Sequence, residues 1–84
     1  MTSHRYTDAE IRANIRKTIS EITHLRPEQI TDSASFQALG IDSLTAAEIL
    51  VAVDHNYKIK IPQDEMGAIQ HVNDAVAAVK RQMQ

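Results

Sequence analysis

With 84 residues, no cysteine and a net charge of −2, the chain is long enough for one small domain. The missing cysteine excludes a disulfide, a thiolate metal site and a cysteine nucleophile, and the charge argues against general nucleic-acid binding, which needs a concentrated basic face. No apolar run approaches the roughly 20 residues of a membrane span, and the N-terminal residues lack the apolar segment of a signal peptide. We therefore expect one domain over residues 1–84 that works in the cytoplasm, with neither nucleic acid nor a membrane as its partner.

The first predicted element is an amphipathic helix that begins after Thr7. Thr7 and Glu10 have the spacing of a capping box, in which each side chain pairs with the backbone N–H of the other residue. Apolar residues at steps of four, four and three then form one face of a helix of about four turns. They are Ile11, Ile15, Ile19 and Ile22. We expect Arg12, Arg16 and Lys17 on a solvated outer face.

A long loop is predicted after Pro27, which ends the helical pattern, because about 16 residues follow without periodicity. Loops of this length are uncommon in compact domains unless they are functional. Apolar residues are spaced along this part of the chain, and we expect them to pin it to the core. They are Leu25, Ile30, Phe36 and Leu39. Gly40 closes the loop, and Asp42 is a suitable N-cap for the next helix.

The second predicted helix, residues 43–57, separates into two faces when its residues are placed about 100° apart. The face assigned to the core contains Ala46, Ile49, Leu50, Val53 and Tyr57. The opposite face, called the outer stripe below, contains Leu44, Ala47, Glu48, Val51 and His55. The outer stripe is more apolar than a solvated face should be, which favours a docking surface. The alternative is that this helix is buried all round.

The rest of the chain predicts an extended connector, a short helix and a last helix. Residues 57–61 alternate with period two, but no second strand-like segment exists to pair with them. Residues 62–66 resemble a first helical turn, with a proline and acids near its start. The last helix begins near Val72, with an apolar face of Val72, Val76, Val79 and Met83. The predicted fold is an all-α small four-helix bundle, with three main helices, one short helix and a long first loop.

No arrangement of residues typical of catalysis or metal binding is present. The histidines lack the i,i+4 pairing of a helical zinc motif and are expected at the surface. They are His4, His24, His55 and His71. Gly40 and Gly67 are the only glycines, so there is no glycine-rich phosphate loop. We expect no catalytic residue, no metal site and no enzymatic activity.

Ser43 allows two interpretations from the residues alone. A serine in the first turn of a helix can serve as a capping group. It is also exposed, and a phosphate on its hydroxyl would meet free backbone N–H groups and the positive end of the helix dipole. The pattern leaves both interpretations open.

The segment LGIDSL, residues 39–44, closely resembles the 4′-phosphopantetheine attachment motif of acyl carrier proteins. The resemblance covers almost the whole chain, since the helices, the long loop and the Ile61-Pro62 turn occur in the order of that family. It implies that Ser43 carries the covalent phosphopantetheine, between the motif residues Asp42 and Leu44. Glu48 then matches an acid that family members present to partner enzymes, and Val51 matches an apolar contact position.

What the resemblance implies is a carrier that holds acyl intermediates as thioesters and presents them to biosynthetic enzymes. A phosphopantetheinyl transferase would load Ser43 from coenzyme A, with magnesium belonging to the transferase. The other expected partners are a ketosynthase, an acyltransferase or acyl ligase, and further pathway enzymes, and the carrier itself is expected to be a monomer.

The chain departs from bacterial fatty-acid carriers in its charges. Thr45 occupies a position where those carriers usually have an acid. Those carriers are also far more acidic along this helix and beyond it, where this chain has His55, Asn56, Lys58 and Lys60. This favours a free-standing carrier of a polyketide or related specialised pathway, with primary fatty acid synthesis as the alternative. An alternative of another class is a small helical protein-interaction module without a prosthetic group.

Overall fold

Four α-helices make up most of residues 7–83, the part of the chain that the computed structural model describes. They are α1 at Asp8–Thr23, α2 at Ser43–Tyr57, α3 at Gln63–Met66 and α4 at Val72–Gln82. A long loop joins α1 to α2 and contains one turn of 3₁₀ helix at Pro27–Gln29. No strand occurs between residues 7 and 83, and the predicted all-α bundle with a long first loop is confirmed. The expected surface position of His4 lies outside the described residues.

The start of α1 is fixed by the capping box that the sequence predicts. The Thr7 hydroxyl accepts a hydrogen bond from the Glu10 N–H at 3.1 Å, and the Thr7 N–H donates to the Glu10 carboxylate at 2.8 Å. The helix ends at Thr23, because His24 adopts a left-handed conformation with φ 67° and its N–H closes the last turn. Pro27 lies beyond this end and instead begins the 3₁₀ turn.

The core forms where the apolar faces of α1, α2 and α4 meet and the long loop closes over them. Its buried side chains are Ile11, Ile15, Ile19, Ile30, Phe36, Ile41, Ile49, Leu50, Val53, Ile61, Ile69, Val72, Ala75, Val76, Ala78 and Val79. The half-buried residues packed against them include Ile22, Leu25, Leu39, Ala46, Tyr57 and Met83. Every residue predicted for the core face of a helix, or for pinning the loop, is therefore in the core or at its edge.

Two arginines of α1 hold the long loop, although the helical pattern places them on a solvated face. Arg16 Nε donates to the Ile30 carbonyl at 3.0 Å, and the Arg16 guanidinium pairs with the Asp32 carboxylate. Arg12 Nη1 lies 3.2 Å from the same carboxylate. The solvated face is therefore wrong for Arg12 and Arg16, because the loop folds back across α1 and helical periodicity does not register such a contact. Lys17 is exposed as predicted.

The second half of the long loop is joined to the segment that precedes α4. The Phe36 N–H donates to the Gln70 carbonyl at 2.7 Å, and Ser35 forms an isolated antiparallel bridge with His71. Gly40 then adopts a left-handed conformation with φ 79°, which glycine tolerates at little cost, and the chain turns into α2. These contacts bring the loop and the segment before α4 together beside the start of α2.

Candidate functional site

The start of α2 is held by the side chain of Asp42. This residue has an extended backbone, and its carboxylate accepts a hydrogen bond from the Thr45 N–H at 2.8 Å. The hydrogen bond favours the ionised carboxylate and lowers the pKa of Asp42 below its ordinary value. The prediction that Asp42 is the N-cap of the second helix is confirmed.

Ser43 is the first residue of α2, and it is exposed. The interpretation of Ser43 as a capping group is wrong, because its neighbour Asp42 provides the cap. Within residues 7–83 the Ser43 hydroxyl has no hydrogen-bond partner, and the backbone N–H groups of Ser43 and Leu44 have no acceptor. The hydroxyl is thus accessible for reaction, and a phosphate on it would meet two free N–H groups at the positive end of the helix dipole.

A groove opens beside Ser43, with a cavity volume of about 590 Å³. The long loop, α2, and the end of α3 with the residues after it contribute its lining: Ser35, Phe36, Gln37, Ile41, Asp42, Ser43, Ala46, Ala47, Leu50, Met66, Gly67, Ile69 and Gln70. The volume lies within the roughly 300–1,000 Å³ of small-molecule sites. No sequence pattern marks the groove, because its residues come from two separate stretches of the chain, 35–50 and 66–70, that only the fold brings together.

The lining of the groove has an apolar part and a polar part. The buried apolar residues form its floor: Phe36, Ile41, Leu50 and Ile69. Gln37 and Gln70 are exposed and belong to its rim. Asp42 is the one residue of this lining with a charged side chain. A ligand of this groove would therefore meet an apolar surface below and neutral polar groups at the opening.

The outer stripe of α2 is exposed along its whole length. Leu44 is 72% exposed and Val51 is 59% exposed, and Ala47, Glu48 and His55 are exposed as well. The alternative that the second helix is buried all round is therefore wrong. The stripe begins at the residue after Ser43, so a protein bound to it would also lie close to the Ser43 hydroxyl.

Cations, and few acids, surround the far end of the outer stripe. Lys58 ends α2 in a left-handed conformation with φ 55°, and both Lys58 and Lys60 are exposed. The side-chain amide of Asn56 is directed to α1, where it donates to Asn14 and Thr18 at 3.3 Å. Asn56 therefore links α2 to α1, besides being a neutral residue where fatty-acid carriers are more acidic.

The histidines in the described part of the chain do not converge. His24 and His55 are exposed as predicted, but His71 is half-buried, with ring Nδ1 3.0 Å from the Asp74 carboxylate. Hydrogen bonds from the Gln70 N–H and from His71 lower the pKa of Asp74. Between residues 7 and 83, no three His, Asp or Glu side chains are grouped so that they could hold a metal ion. In the same residues, no helix has both the length and the apolar character needed to cross a membrane.

Comparison with known proteins gives a family match. Residues 13–79 match the family described as "Phosphopantetheine attachment site". The meromycolate extension acyl carrier protein of Mycobacterium tuberculosis is 38% identical over 76 residues, which cover 89% of this chain and 66% of that protein. The acyl carrier protein of Phenylobacterium zucineum is 34% identical over 76 residues, which cover 89% of this chain and 96% of that protein. The chain thus spans about 66% of the length of its mycobacterial relative.

A solved structure gives the same result for the fold. The mupirocin didomain ACP has a TM-score of 0.77 and 28% sequence identity, over 94% of this chain and 43% of that chain. The residues matched by the family, 13–79, include the whole long loop and all of α2 and α3. The exposed serine at the start of α2 lies inside that range.

Proposed function

This chain belongs to the acyl carrier protein family, and on that premise we propose that Ser43 is the serine to which its 4′-phosphopantetheine group is attached. The observation that supports this assignment is the free, exposed hydroxyl of Ser43, next to the residue that provides the cap. The surrounding residues fit the group, since the N–H groups of Ser43 and Leu44 are free to bind its phosphate. Asp42 and Leu44 are the motif residues on either side.

In the loading step Ser43 supplies the nucleophile. A phosphopantetheinyl transferase holds coenzyme A and magnesium, and Ser43 Oγ forms a bond to phosphorus as the bond to the adenosine bisphosphate breaks. The proton of the hydroxyl passes to a base of the transferase, so Ser43 needs no base within this chain. Asp42 holds the first turn of α2 through Thr45, which keeps Ser43 in its exposed position. Once attached, the group supplies a terminal thiol on which acyl intermediates are held as thioesters.

We infer that the protein is a carrier without catalytic activity of its own, which acts with separate enzymes. Its partners would be the phosphopantetheinyl transferase, a ketosynthase, an acyltransferase or acyl ligase, and further enzymes of one pathway. Residues 1–84 would form a single acyl carrier domain, and the single apolar core of the described residues supports this. We also propose that it acts as a monomer. Its localisation in the cytoplasm stays a prediction.

The outer stripe of α2 is the surface proposed for binding these enzymes. Leu44 and Val51 supply exposed apolar area, with the small side chain of Ala47 between them. Glu48 adds the one carboxylate of the stripe, and His55 lies at its far end. Exposed apolar side chains in line on one helix face are typical of protein–protein contact. A partner bound here would reach the Ser43 hydroxyl without disturbing the core.

The pathway that we propose is a polyketide or related specialised one. The supporting observation is charge, since Thr45, Lys58 and Lys60 leave the outer stripe with little negative field. Two of the similar proteins are named for one product, meromycolate or mupirocin, which supports a dedicated role. The Phenylobacterium zucineum relative is named simply an acyl carrier protein, which favours primary fatty acid synthesis as the alternative.

Intact mass after incubation with a phosphopantetheinyl transferase and coenzyme A tests the assignment. The natural chain and a Ser33→Ala control should gain one phosphopantetheine mass, because Ser33 is an exposed serine of the loop away from α2. Ser43→Ala should gain none. A natural chain that gains no mass would favour the helical interaction module, and a loaded Ser43→Ala would show that another residue carries the group.

A further inference from the structure

We propose that Lys17, Lys58 and Lys60 form a binding site for an acidic patch on the surface of a partner enzyme. These three lysines are called the cationic patch below. The proposal rests on the carrier function proposed above, and it specifies the charge of the partner. The cationic patch differs from the outer stripe, because it extends from the end of α2 onto α1.

A side-chain contact between two helices brings the cationic patch together. The Asn56 amide of α2 donates to Asn14 and Thr18 of α1, at 3.3 Å in both cases. Lys17 precedes Thr18 on α1, and Lys58 is the C-cap of α2, two residues after Asn56. Lysines from two different helices therefore lie on either side of one contact, and the connector after α2 adds the third.

The lysines of the cationic patch form no ion pair in the fold. Within residues 7–83, the Lys and Arg side chains that do form ion pairs are Arg12, Arg16, Lys80 and Arg81. Lys17, Lys58 and Lys60 are exposed, and Arg26, in the loop after α1, is the other unpaired cation of these residues. The negative end of the helix dipole accounts for a cation at Lys58. It does not account for Lys17 on α1 or for Lys60 beyond the helix.

The acids on the same two helices leave the cationic patch unpaired. The carboxylates of Glu10 and Asp54 each accept a backbone hydrogen bond, at 2.8 and 3.3 Å. Asp54 is half-buried and interacts electrostatically with Lys60, but the two form no ion pair. Glu21, one turn after Lys17 on α1, is exposed and forms no ion pair with it either. The three ammonium groups are therefore available to carboxylates from outside the chain.

The size of the cationic patch favours a protein as its partner. Segments that bind anionic membranes have about four to eight lysines or arginines, and nucleic-acid binding needs a concentrated basic face. Three lysines in a chain with a net charge of −2 fall short of both. The large apolar side chains exposed in residues 7–83, Leu44 and Val51, belong to the outer stripe. Charges at the edge of a protein interface, in contrast, steer the encounter and suppress wrong partners.

The cationic patch would also orient the partner along α2. Asp42 and Glu48 lie in the first half of the region from the N-cap to the C-cap, whereas Lys58 lies at its end. Lys58 is about 22 Å from Ser43 along the helix axis. An enzyme whose acids contact the patch is therefore held at a distance from the Ser43 hydroxyl, which stays open to approach. An enzyme with a basic surface would meet like charge at the same place.

The first measurement is a titration with a synthetic helical peptide that has glutamates along one face, followed by backbone ¹⁵N–¹H NMR of the loaded protein. The signals of Lys17, Asn56, Lys58 and Lys60 should shift, and that of Arg26 should not. The same peptide with lysines in place of glutamates should shift none of them. Absent shifts, or an equal shift at Arg26, would overturn the proposal, as would binding to phosphatidylglycerol vesicles in place of the peptide. Loading is checked by mass, and a failure to gain mass would count against the carrier function alone.

The second measurement is turnover of loaded variants by a fatty-acid ketosynthase that serves acidic carriers. Lys17→Glu and Lys58→Glu should each raise kcat/KM by roughly two- to fivefold, because each removes a repulsion from a basic enzyme surface. The matched control Arg26→Glu changes the net charge by the same amount outside the cationic patch, and should have a smaller effect. Helical circular dichroism confirms that the variants are folded. Equal increases in all three variants would overturn the proposal, because net charge would then set the preference.

Discussion

The inner and outer faces of α2 contain similar aliphatic residues but have opposite environments. Ile49, Leu50 and Val53 on the inner face are between 0% and 2% exposed, whereas Leu44 and Val51 on the outer stripe are 72% and 59% exposed. The inner side chains gain stability from burial, and the outer side chains leave the same kind of surface in water. The comparison separates what α2 does for the fold from what it offers to another protein.

The largest effect on stability is expected when a leucine is shortened to alanine on each face in turn. Leu50→Ala should lower the free energy of unfolding by about 2–5 kcal/mol, because it leaves a cavity in the core. Leu44→Ala should change it by less than about 0.5 kcal/mol, because the side chain is exposed. Urea unfolding followed by circular dichroism measures both. Similar losses in the two variants would show that the division of α2 into two faces is wrong.

A smaller effect is expected at the contact between α1 and the long loop. Arg16→Ala removes the hydrogen bond to the Ile30 carbonyl and one ion pair of Asp32. It should lower the free energy of unfolding by about 1 kcal/mol. The control is Lys17→Ala, an exposed cation of the same helix without an ion pair in residues 7–83. Urea unfolding at low and high salt measures the difference. A loss as small as that of the control would mean that Arg16 does not hold the loop.

The elements that the sequence predicts well depend on neighbours close in the chain. The capping box of Thr7 and Glu10, the cap of Asp42 and the steps of the isoleucines in α1 involve residues no more than four positions apart. Local chemistry is sufficient for these features. The same holds for the exposure of Ser43, which follows from its place in the first turn.

Contacts between distant segments could not be predicted in this way. Arg16 and Asp32 are 16 positions apart, and the loop that joins them has no periodicity. The lining of the groove includes Gln37 and Gln70, which lie in different parts of the chain. The hydrogen bond from the Phe36 N–H to the Gln70 carbonyl brings these two parts together.

Two carboxylates at the ends of α2, that of the N-cap Asp42 and that of Asp54, should respond to pH in opposite directions. The hydrogen bond from Thr45 lowers the pKa of Asp42, so its contribution to stability is present above its ordinary value, about pH 4, and is lost as the pH falls through the lowered pKa. Asp42→Ala should therefore reduce the melting temperature at pH 7, and the difference should vanish in strong acid. A difference that is independent of pH would contradict this role of the carboxylate.

Asp54, near the other end of α2, should show the reverse dependence of stability on pH. Burial raises the pKa of Asp54, although its carboxylate accepts from the Ile61 N–H at 3.3 Å. The ionised form therefore costs stability at neutral pH, and this cost disappears as the pH falls below the raised pKa. Asp54→Asn keeps an acceptor for Ile61, and it should raise the melting temperature slightly at pH 7 and leave it unchanged in acid. A lower melting temperature of this variant at pH 7 would contradict the conclusion that the ionised Asp54 carboxylate costs stability.

The smallest effects concern partner binding on the outer stripe. Glu48→Gln should weaken binding to a basic partner by about 0.2–1 kcal/mol at low salt and less at high salt. Val51→Ala should weaken it with little salt dependence, since its contact is apolar. Glu21→Gln, an exposed acid on α1, is the control. The assay is competition of the loaded variants against a strongly acidic carrier for one fatty-acid ketosynthase.

The same assay tests the choice of pathway. With little negative field along the outer stripe, the natural protein should serve that ketosynthase poorly, because complementary charge raises the rate of encounter and the specificity of binding. The missing ion pairs together could shift the preference about tenfold. Turnover equal to that of the acidic carrier, with equal salt sensitivity, would instead favour primary fatty acid synthesis.

The central claim is that Ser43, whose hydroxyl has no hydrogen-bond partner within the described residues, carries the prosthetic group. Its most direct test is fragment-ion mass spectrometry of the chain after loading by a phosphopantetheinyl transferase. We predict one phosphopantetheine increment, on the fragment that contains Ser43 and on no fragment that contains only Ser33 or Ser35. An increment located on either of those two serines would contradict the claim.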